Sequence, residues 1–408
     1  MRTCPLHGVL DRLHSGLAAP YLDGFARWLQ EAGFSAWATL AHVYSVAHLN
    51  RWATRRGLSP GQLGEGMDAF RGHLRRRFSA AAARRVLYHV RRFIDYLDES
   101  GVAVPAPAAV QPSEPRLLCA FRQWMKEHRG VTEATLTSYG RPLREFVAVV
   151  GDDPAGYNVR SLRDFLLGYE KNHGRTGGQK AAIALRSFLR FLIAEGQCAA
   201  SLDVAFPPII RWRLSSLPRY LPAHEIQRVL AGCDPSTVAG RRELAVLLLL
   251  SQLGLRASDV IRLRLEDIDW EKATLCVAGK GRREALLPLP QAVGDAILAY
   301  LEHGRRSTPY SDRLFLRTHA PIGPWRGANS VSGIVATAIR RAGISCHFHG
   351  AHVLRHSAAT EMLRQGATLD QIGALLRHRS RESTALYAKV DFGLLRTIAQ
   401  PWPEVTPC

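Results

Sequence analysis

The chain has 408 residues, long enough for two or three domains with cores of their own. Its 54 Lys and Arg against 35 Asp and Glu give a net charge of +19, and a hydrophobic content of 47% excludes a disordered basic tail as the source of that charge. A folded protein of this charge favours a polyanionic partner, of which nucleic acid is the commonest, over a membrane surface.

Cysteine usage and the placement of apolar residues predict a cytoplasmic protein that does not enter a membrane, and the expected nucleic-acid partner would associate it with the nucleoid. The 7 cysteines are odd in number and form no C-x-x-C pair, so neither a zinc knuckle nor a disulfide framework is expected. Charged residues such as Asp11 and Arg12 stand where a signal peptide would be apolar. The most apolar run, residues 244–250, is far shorter than the ~20 residues of a spanning helix.

Residues 1–101 are predicted to form a helical N-terminal domain. Phe25, Trp28 and Leu29 recur at helical spacing, and later apolar stripes continue the pattern until Gly101, a residue type that often ends helices. The proline-rich stretch that follows, residues 102–116, is typical of a semi-rigid linker.

Residues 117–200 repeat this helical pattern. Phe121 and Trp124 occupy the places of the first aromatic pair, and Gly196 follows Gly101 at an offset of about 95 residues. The sequence therefore predicts two tandem all-helical units, the second with a basic face of its own.

Several basic residues of the two helical units and of the second linker, residues 201–222, are candidate DNA contacts. They are Arg84 and Arg91 in the first unit, Lys180, Arg186 and Arg190 in the second, and Arg211 and Arg213 in the linker. Each is either a phosphate contact or part of an ordinary solvated surface, and the proline-stiffened linker fits a plain tether equally well.

Residues 223–391 are predicted to form a third, α+β domain. Helices are expected first, with one beginning at Ser258 and Asp259 and running through Leu265. The apolar period then switches to two, which predicts a three-stranded antiparallel sheet with Lys280 at the tip of its second hairpin. Helices return after the sheet, so the predicted fold is mainly α with a small antiparallel β-sheet. The tail, residues 392–408, has apolar residues at helical spacing and packs either on its own domain or on a neighbouring subunit.

The third domain offers a set of side chains suited to phosphodiester chemistry. The set consists of Arg256, Lys280, His352, Arg355, His378 and Tyr387. Two guanidiniums can fork the non-bridging oxygens of a phosphate, histidines can donate to it or move a proton, a lysine can protonate a departing oxygen, and a tyrosine can act as nucleophile.

Metal and nucleotide cofactors are not expected. The sequence has no Asp/Glu cluster for two-metal catalysis and no glycine-rich phosphate-binding loop of the P-loop type. His352 and His356 lie one helical turn apart, as metal ligands can, but no glutamate follows His352 to complete a zinc-protease motif.

At these residues the chain resembles the tyrosine recombinases, the phage-integrase-like family of site-specific DNA recombinases. The matching motifs, in order, are Gly254-Leu255-Arg256, Gly279-Lys280-Gly281, His352-Val353-Leu354-Arg355-His356-Ser357, Leu376-Arg377-His378-Arg379-Ser380 and Thr384-Ala385-Leu386-Tyr387. The resemblance covers roughly residues 117 to 400. It implies that residues 117–200 are a helical, SAM-like core-binding domain and that residues 223–391 are the catalytic domain, with residues 1–101 as an additional unit.

The resemblance also implies a role for each residue of the set. Tyr387 attacks the scissile phosphate to form a 3′-phosphotyrosine, and Lys280 protonates the leaving oxygen. Arg256 and Arg355 clamp the phosphate. His352 assists proton transfer, and His378 hydrogen-bonds the phosphate. Supporting roles fall to Asp259, which would brace the first arginine, and to His356.

One position departs from the family pattern. The family usually has glycine before the histidine of the fourth motif, and this chain has Arg377. Glycine there would supply a backbone angle that arginine adopts less readily. Arg377 either disturbs this loop or adds a phosphate contact.

The favoured function is therefore that of an integrase or transposase from a mobile element, acting on double-stranded DNA with specific recombination sites. The resemblance implies a homo-tetramer on two DNA sites, without cofactors, and it leaves open whether partner recombinases are required. A catalytically silent DNA-binding regulator on the same fold and a topoisomerase of related chemistry are the alternatives.

Overall fold

The computed structural model describes residues 16–102, 114–205, 219–278, 284–306, 312–346, 350–378, 380–390 and 396. These residues form two compact units, one drawn from Met1–Ala103 and Arg213–Cys408 and the other from Val104–Trp212. The hairpin tip with Lys280, the linker arginines Arg211 and Arg213, and the tail except Arg396 lie outside the described residues.

Over residues 16–102, the described N-terminal part of the first unit contains four α-helices. They are α1 (Leu22–Glu31), α2 (Ala36–Thr54), α3 (Met67–Arg77) and α4 (Ala80–Glu99). Ser35 caps α2 and Ser79 caps α4, each accepting a hydrogen bond from a backbone N–H of the first turn. Phe25 and Phe93 are fully buried, with ring centroids 5.1 Å apart, and each contributes about 1.5–3 kcal/mol by leaving water. The predicted helical pattern is confirmed.

The second unit is also helical. Its helices are α5 (Arg116–Arg129), α6 (Glu133–Val150), α7 (Val159–Ala194) and the short α8 (Ser201–Ala205). Gly174 has non-helical angles and divides α7 into two arms, so four long helical segments are present, as in the N-terminal part. Gly101 follows α4 and Gly196 follows the second arm of α7, both at a positive φ, 72° and 69°. This shared ending supports the proposal of a repeat, whereas the division into functional domains stays a prediction.

The remaining elements of the first unit are helices around a small sheet. They are α9 (Ala223–Ala231), α10 (Val238–Ser251), α11 (Ala257–Val260), β1 (Ile268–Asp269), β2 (Thr274–Ala278), β3 (Glu284–Pro288), α12 (Gln291–His303), α13 (Asn329–Arg341), α14 (His352–Arg364), α15 (Leu369–Leu376), α16 (Glu382–Ala385) and the 3₁₀ helix Leu386–Val390. The strands are antiparallel in the order β1-β2-β3, with Leu275 opposite both Ile268 and Leu287. The predicted fold class, mainly α with a small antiparallel sheet, is confirmed.

One predicted helix is shorter than expected. The prediction extended it through Leu265, but α11 ends at Val260. The backbone of Arg264 instead forms an antiparallel bridge with Arg313, and Leu265 N donates to Asp312 O at 2.9 Å. This pairing with a distant segment satisfies the backbone groups that a longer helix would have used.

The N-terminal helices contact the segment between α12 and α13. Ile322 N donates to Ala32 O at 2.8 Å, directly beside Gly33, whose φ is 88°. Among the described residues, no helix combines the length and apolar character needed to cross a membrane.

Candidate active site

Helix α14 carries three of the predicted residues on one face. His352, Arg355 and His356 are spaced i, i+3 and i+4, so their side chains lie on the same side of the helix. The neighbouring Leu354 is 1% exposed and belongs to the core, which fixes the rotation of the helix. His352 is exposed, whereas Arg355 is buried and His356 half-buried.

Arg355 is held by two backbone carbonyls from different loops. Its Nη1 donates to Gly254 O and its Nη2 donates to Leu376 O. Burial, reinforced by the nearby Arg256, lowers the pKa of Arg355 to about 10, so the guanidinium remains charged at neutral pH. Gly254 has a φ of 58°, and a Cβ there would lie 2.4 Å from Leu376 Cδ2, so this loop requires glycine for two reasons.

Arg256 stands at the N-cap of α11 and faces the loop after α15. Its Nη2 donates to Arg377 O at 3.2 Å, and its backbone N–H donates to Asp259 Oδ2 at 3.2 Å. Asp259 also accepts from Arg377 Nη2 at 2.6 Å and from Arg262 Nη2 at 3.1 Å. Asp259 thus contacts the loop of the first arginine through the backbone of Arg256, and its supporting role in the site stays a prediction.

Arg377 ends α15 in the left-handed conformation, with φ 55° and ψ 50°. The loop therefore has the backbone angle that glycine would supply, and arginine adopts it at a cost of roughly 1–2 kcal/mol. The predicted disturbance of this loop is not seen, because the ion pair with Asp259 holds the arginine in place. His378 N donates to Gly373 O at 2.9 Å immediately after this turn.

His378 is oriented by Thr384, a buried residue of α16. The ring Nδ1 lies 2.8 Å from Thr384 Oγ1. Burial lowers the pKa of His378 to about 4, assisted by the positive charges of Arg355 and Arg256, so the imidazole is neutral at pH 7.

Tyr387 lies on the 3₁₀ helix after α16 and is 1% exposed. Its hydroxyl is 2.9 Å from His356 Nδ1. Its ring lies nearly parallel to that of His378, with ring centroids 6.3 Å apart and an interplanar angle of 6°. Burial raises the pKa of the Tyr387 phenol, and Arg355 and Arg256 partly oppose this effect.

The structure therefore brings together most of the predicted set. Within the described residues these are Arg256, His352, Arg355, His378 and Tyr387, with Asp259 and His356 around them. The sequence prediction missed Thr384 and the carbonyls that hold Arg355, and it gave no partner for His356. Thr384 belongs to the same motif as Tyr387, and that proximity was the one available signal.

The predicted DNA contacts differ in how available their charges are. Arg84, Arg91 and Lys180 are exposed. Arg190 donates to Asp203 at 3.2 Å and Arg186 lies 4.0 Å from the same carboxylate, so α8 partly neutralises this pair. A role in DNA binding stays a prediction for all of them.

Sequence comparison matches the chain to one protein family and to relatives that align with most of its length. The profile of the phage integrase family matches residues 219–393. A relative in Sinorhizobium fredii, designated an integrase/recombinase, is 35% identical over 406 residues, which is 97% of this chain and 97% of the relative. The tyrosine recombinase XerC of Bacillus pumilus is 30% identical over 296 residues, or 69% of this chain and 94% of that protein.

Comparison with solved structures shows a shared fold. The XerH recombinase bound to a palindromic difH substrate matches 69% of this chain and 83% of its own, with a TM-score of 0.55 and 19% identity. A lambda integrase dimer bound to a COC′ core site matches 71% of this chain and 98% of its own, with a TM-score of 0.53 and 19% identity.

Proposed function

This chain belongs to the phage integrase family of tyrosine recombinases, and we propose that it is a site-specific recombinase that cuts and rejoins double-stranded DNA through a 3′-phosphotyrosine. The observation that carries the proposal is the convergence of one phenol with two guanidiniums and several imidazoles from segments that are distant in sequence. The net charge of +19 and the DNA-bound state of both solved neighbours support duplex DNA as the partner.

In this mechanism Tyr387 Oη attacks the scissile phosphorus and the bond to the 5′ oxygen breaks. Arg256 and Arg355 stabilise the negative charge that grows on the non-bridging oxygens. Both guanidiniums are already oriented by carbonyls, and Arg355 remains charged at neutral pH, so little reorganisation of these two side chains is needed when the phosphate arrives. His378, held by Thr384, is a neutral donor to the phosphate, His352 assists proton transfer, and Lys280 protonates the 5′ oxygen.

Attack requires a change at the nucleophile. Tyr387 is 1% exposed, so the phosphate reaches Oη only when the groups that cover this side chain move away from it. We infer that DNA binding supplies the free energy for this movement.

The predicted tetramer, the mobile-element origin and the dependence on partner recombinases remain part of the proposal. Strand exchange between two duplexes needs four nucleophiles, which is the reason for expecting four subunits on two sites. The silent-regulator alternative loses its sequence argument, because Arg377 keeps the glycine-like backbone angle and an ion pair to Asp259.

A covalent-capture experiment tests the proposal and does not require the target sequence to be chosen in advance. The full chain is incubated with a pool of nicked duplexes that carry randomised sequence, so that cleavage releases a short strand and traps the protein on DNA. We expect wild-type adducts that survive SDS and converge on one sequence, and we expect none from Tyr387→Phe. Sequence-specific binding without adduct would support the silent regulator, and adducts without sequence convergence together with relaxation of supercoiled DNA would support a topoisomerase.

A further inference from the structure

We propose that His356 is a further catalytic residue, which accepts the phenol proton of Tyr387 during strand cleavage and returns it during rejoining. The inference rests on the proposed function, because it concerns the same nucleophile. It assigns the phenol proton to His356 and leaves His352 the assisting role that the proposed function gives it.

The geometry distinguishes the three imidazoles around the nucleophile. His356 Nδ1 lies 2.9 Å from Tyr387 Oη, within hydrogen-bonding distance. His378 stacks against the phenol ring, but its Nδ1 faces Thr384 Oγ1 at 2.8 Å. The ring centroid of His352 is 6.3 Å from that of His356, and His352 is an exposed residue. A general base must lie within reach of the proton that it removes, and His356 meets this condition in the DNA-free chain.

The proton balance of the step is simple. As Oη bonds to phosphorus, its O–H bond breaks and the proton moves to Nδ1 of neutral His356, which becomes an imidazolium. The P–O5′ bond breaks and the 5′ oxygen takes its proton from the general acid. In rejoining, a 5′ hydroxyl attacks phosphorus and gives its proton back to the group that acted as the general acid, while Oη leaves and takes the proton of the His356 imidazolium. No oxidant or reductant is involved.

The electrostatic surroundings couple this base to substrate binding. The titratable and charged groups that face His356 are His352 and Arg355 on its own helix, Tyr387 on the 3₁₀ helix and His378 after α15. Burial, together with the charges of His352 and Arg355, lowers the pKa of His356 to about 4, so the free chain holds a weak base. A bound phosphate brings negative charge and raises this pKa, which strengthens the base when the substrate is in place.

The decisive variant is His356→Asn, since the asparagine oxygen can accept the phenol hydrogen bond but cannot take up the proton. His352→Asn is the matched control on the same helix face. The substrate is the nicked duplex recovered in the covalent-capture experiment, and the measurement is the single-turnover rate of adduct formation against pH. Loss of a general base lowers the rate by about 10²–10⁴-fold. We expect a loss in this range for His356→Asn at pH 7, with a rate that rises about tenfold per pH unit as hydroxide replaces the base. We expect His352→Asn to lower the rate less, since His352 assists proton transfer, and to keep the pH dependence of the wild type because the base at position 356 is intact.

A second measurement separates proton transfer from a purely structural role. Fluorotyrosine at position 387 has a more acidic phenol and therefore needs a base less. We expect it to recover at least about tenfold of the lost rate in His356→Asn, and to change the rate much less when His356 is present. A slow His356→Asn variant that gains nothing from fluorotyrosine would overturn the inference.

The remaining outcomes are equally informative. A His356→Asn rate equal to or above the wild-type rate would overturn the inference and would make the hydrogen bond a brake on the nucleophile. Failure of the wild type itself to form an adduct would instead refute the proposed function.

Discussion

Arg377 Nη2 donates to Asp259 Oδ2 at 2.6 Å and so joins two residues that are 118 positions apart. The two side chains are only 10% and 2% exposed. Within the described part of the chain, Nε and Nη1 of Arg377 are buried without a hydrogen-bond partner, so Asp259 is the main compensation for burying this charge. The same carboxylate accepts the backbone N–H of Arg256, and the ion pair therefore connects the loops of two predicted phosphate contacts.

The two partners of this ion pair should differ in what their removal costs. Asp259→Ala leaves a buried guanidinium without its counter-charge and should destabilise the fold by about 3–5 kcal/mol. Arg377→Gly removes the guanidinium and also relieves a left-handed backbone that costs arginine roughly 1–2 kcal/mol, so it should change stability by less than about 1 kcal/mol. Urea unfolding of both variants and of the double variant checks this. The double variant should be more stable than Asp259→Ala alone, and equal losses for the two single variants would contradict the account.

The elements of this fold were largely predictable, because their signals are local. The period of two between Ile268 and Leu287 reflects alternating burial in β2 and β3, and the helical stripes reflect a buried face. The demand for a glycine-like angle at Arg377 was also readable from the sequence. The early end of α11 was not, because the bridge of Arg264 to Arg313 is a long-range pairing that overrides local preference.

The set of site residues was predictable from the motifs, but their contacts were not. The approach of His356 to Tyr387 depends on how the 3₁₀ helix packs against α14, and the two residues are 31 positions apart. Likewise, nothing local indicates that Gly254 O and Leu376 O both accept from Arg355. Such contacts arise from tertiary packing, which single-residue patterns do not encode.

Thr384 should act on catalysis through His378. Thr384→Val keeps the shape of this buried residue but removes the oxygen that lies 2.8 Å from His378 Nδ1. Losing one hydrogen bond of about 0.5–1.5 kcal/mol should lower the rate of adduct formation by roughly three- to tenfold. Thr384→Ser should retain most of the wild-type rate. An unchanged rate in the valine variant, with substrate binding also unchanged, would show that His378 does not need this orientation.

The free energy of unfolding should fall in mildly acidic solution. Burial lowers the pKa of His89, His356 and His378 to about 4, below the ordinary value of 6.5. Between these values the unfolded chain binds protons that the folded chain does not. The stabilisation is therefore complete above pH ~6.5 and is lost as pH falls towards ~4, by at most about 1.4 kcal/mol per pH unit for each histidine.

The pH effect can be assigned by substitution. Urea unfolding between pH 4 and 7 measures it, and His378→Asn should reduce the slope of unfolding free energy against pH. The same slope in that variant as in the wild type would assign the acid sensitivity to other groups.

The junction between the N-terminal helices and the segment after α12 can be tested with two glycines that share a positive φ. Gly33 has a φ of 88°, and a Cβ there would lie 2.4 Å from Ile322 Cγ1, whereas Gly57 has a φ of 65° and no atom within 4 Å of its Cβ position. Gly57→Ala should cost only the backbone strain of about 1–2 kcal/mol. Gly33→Ala should cost a further ~1–3 kcal/mol from overpacking against Ile322, which Ile322→Ala should partly restore. Thermal unfolding and limited proteolysis compare the variants, with faster cleavage after α4 expected in Gly33→Ala. Equal behaviour of the two alanine variants would mean that this contact does not form in solution.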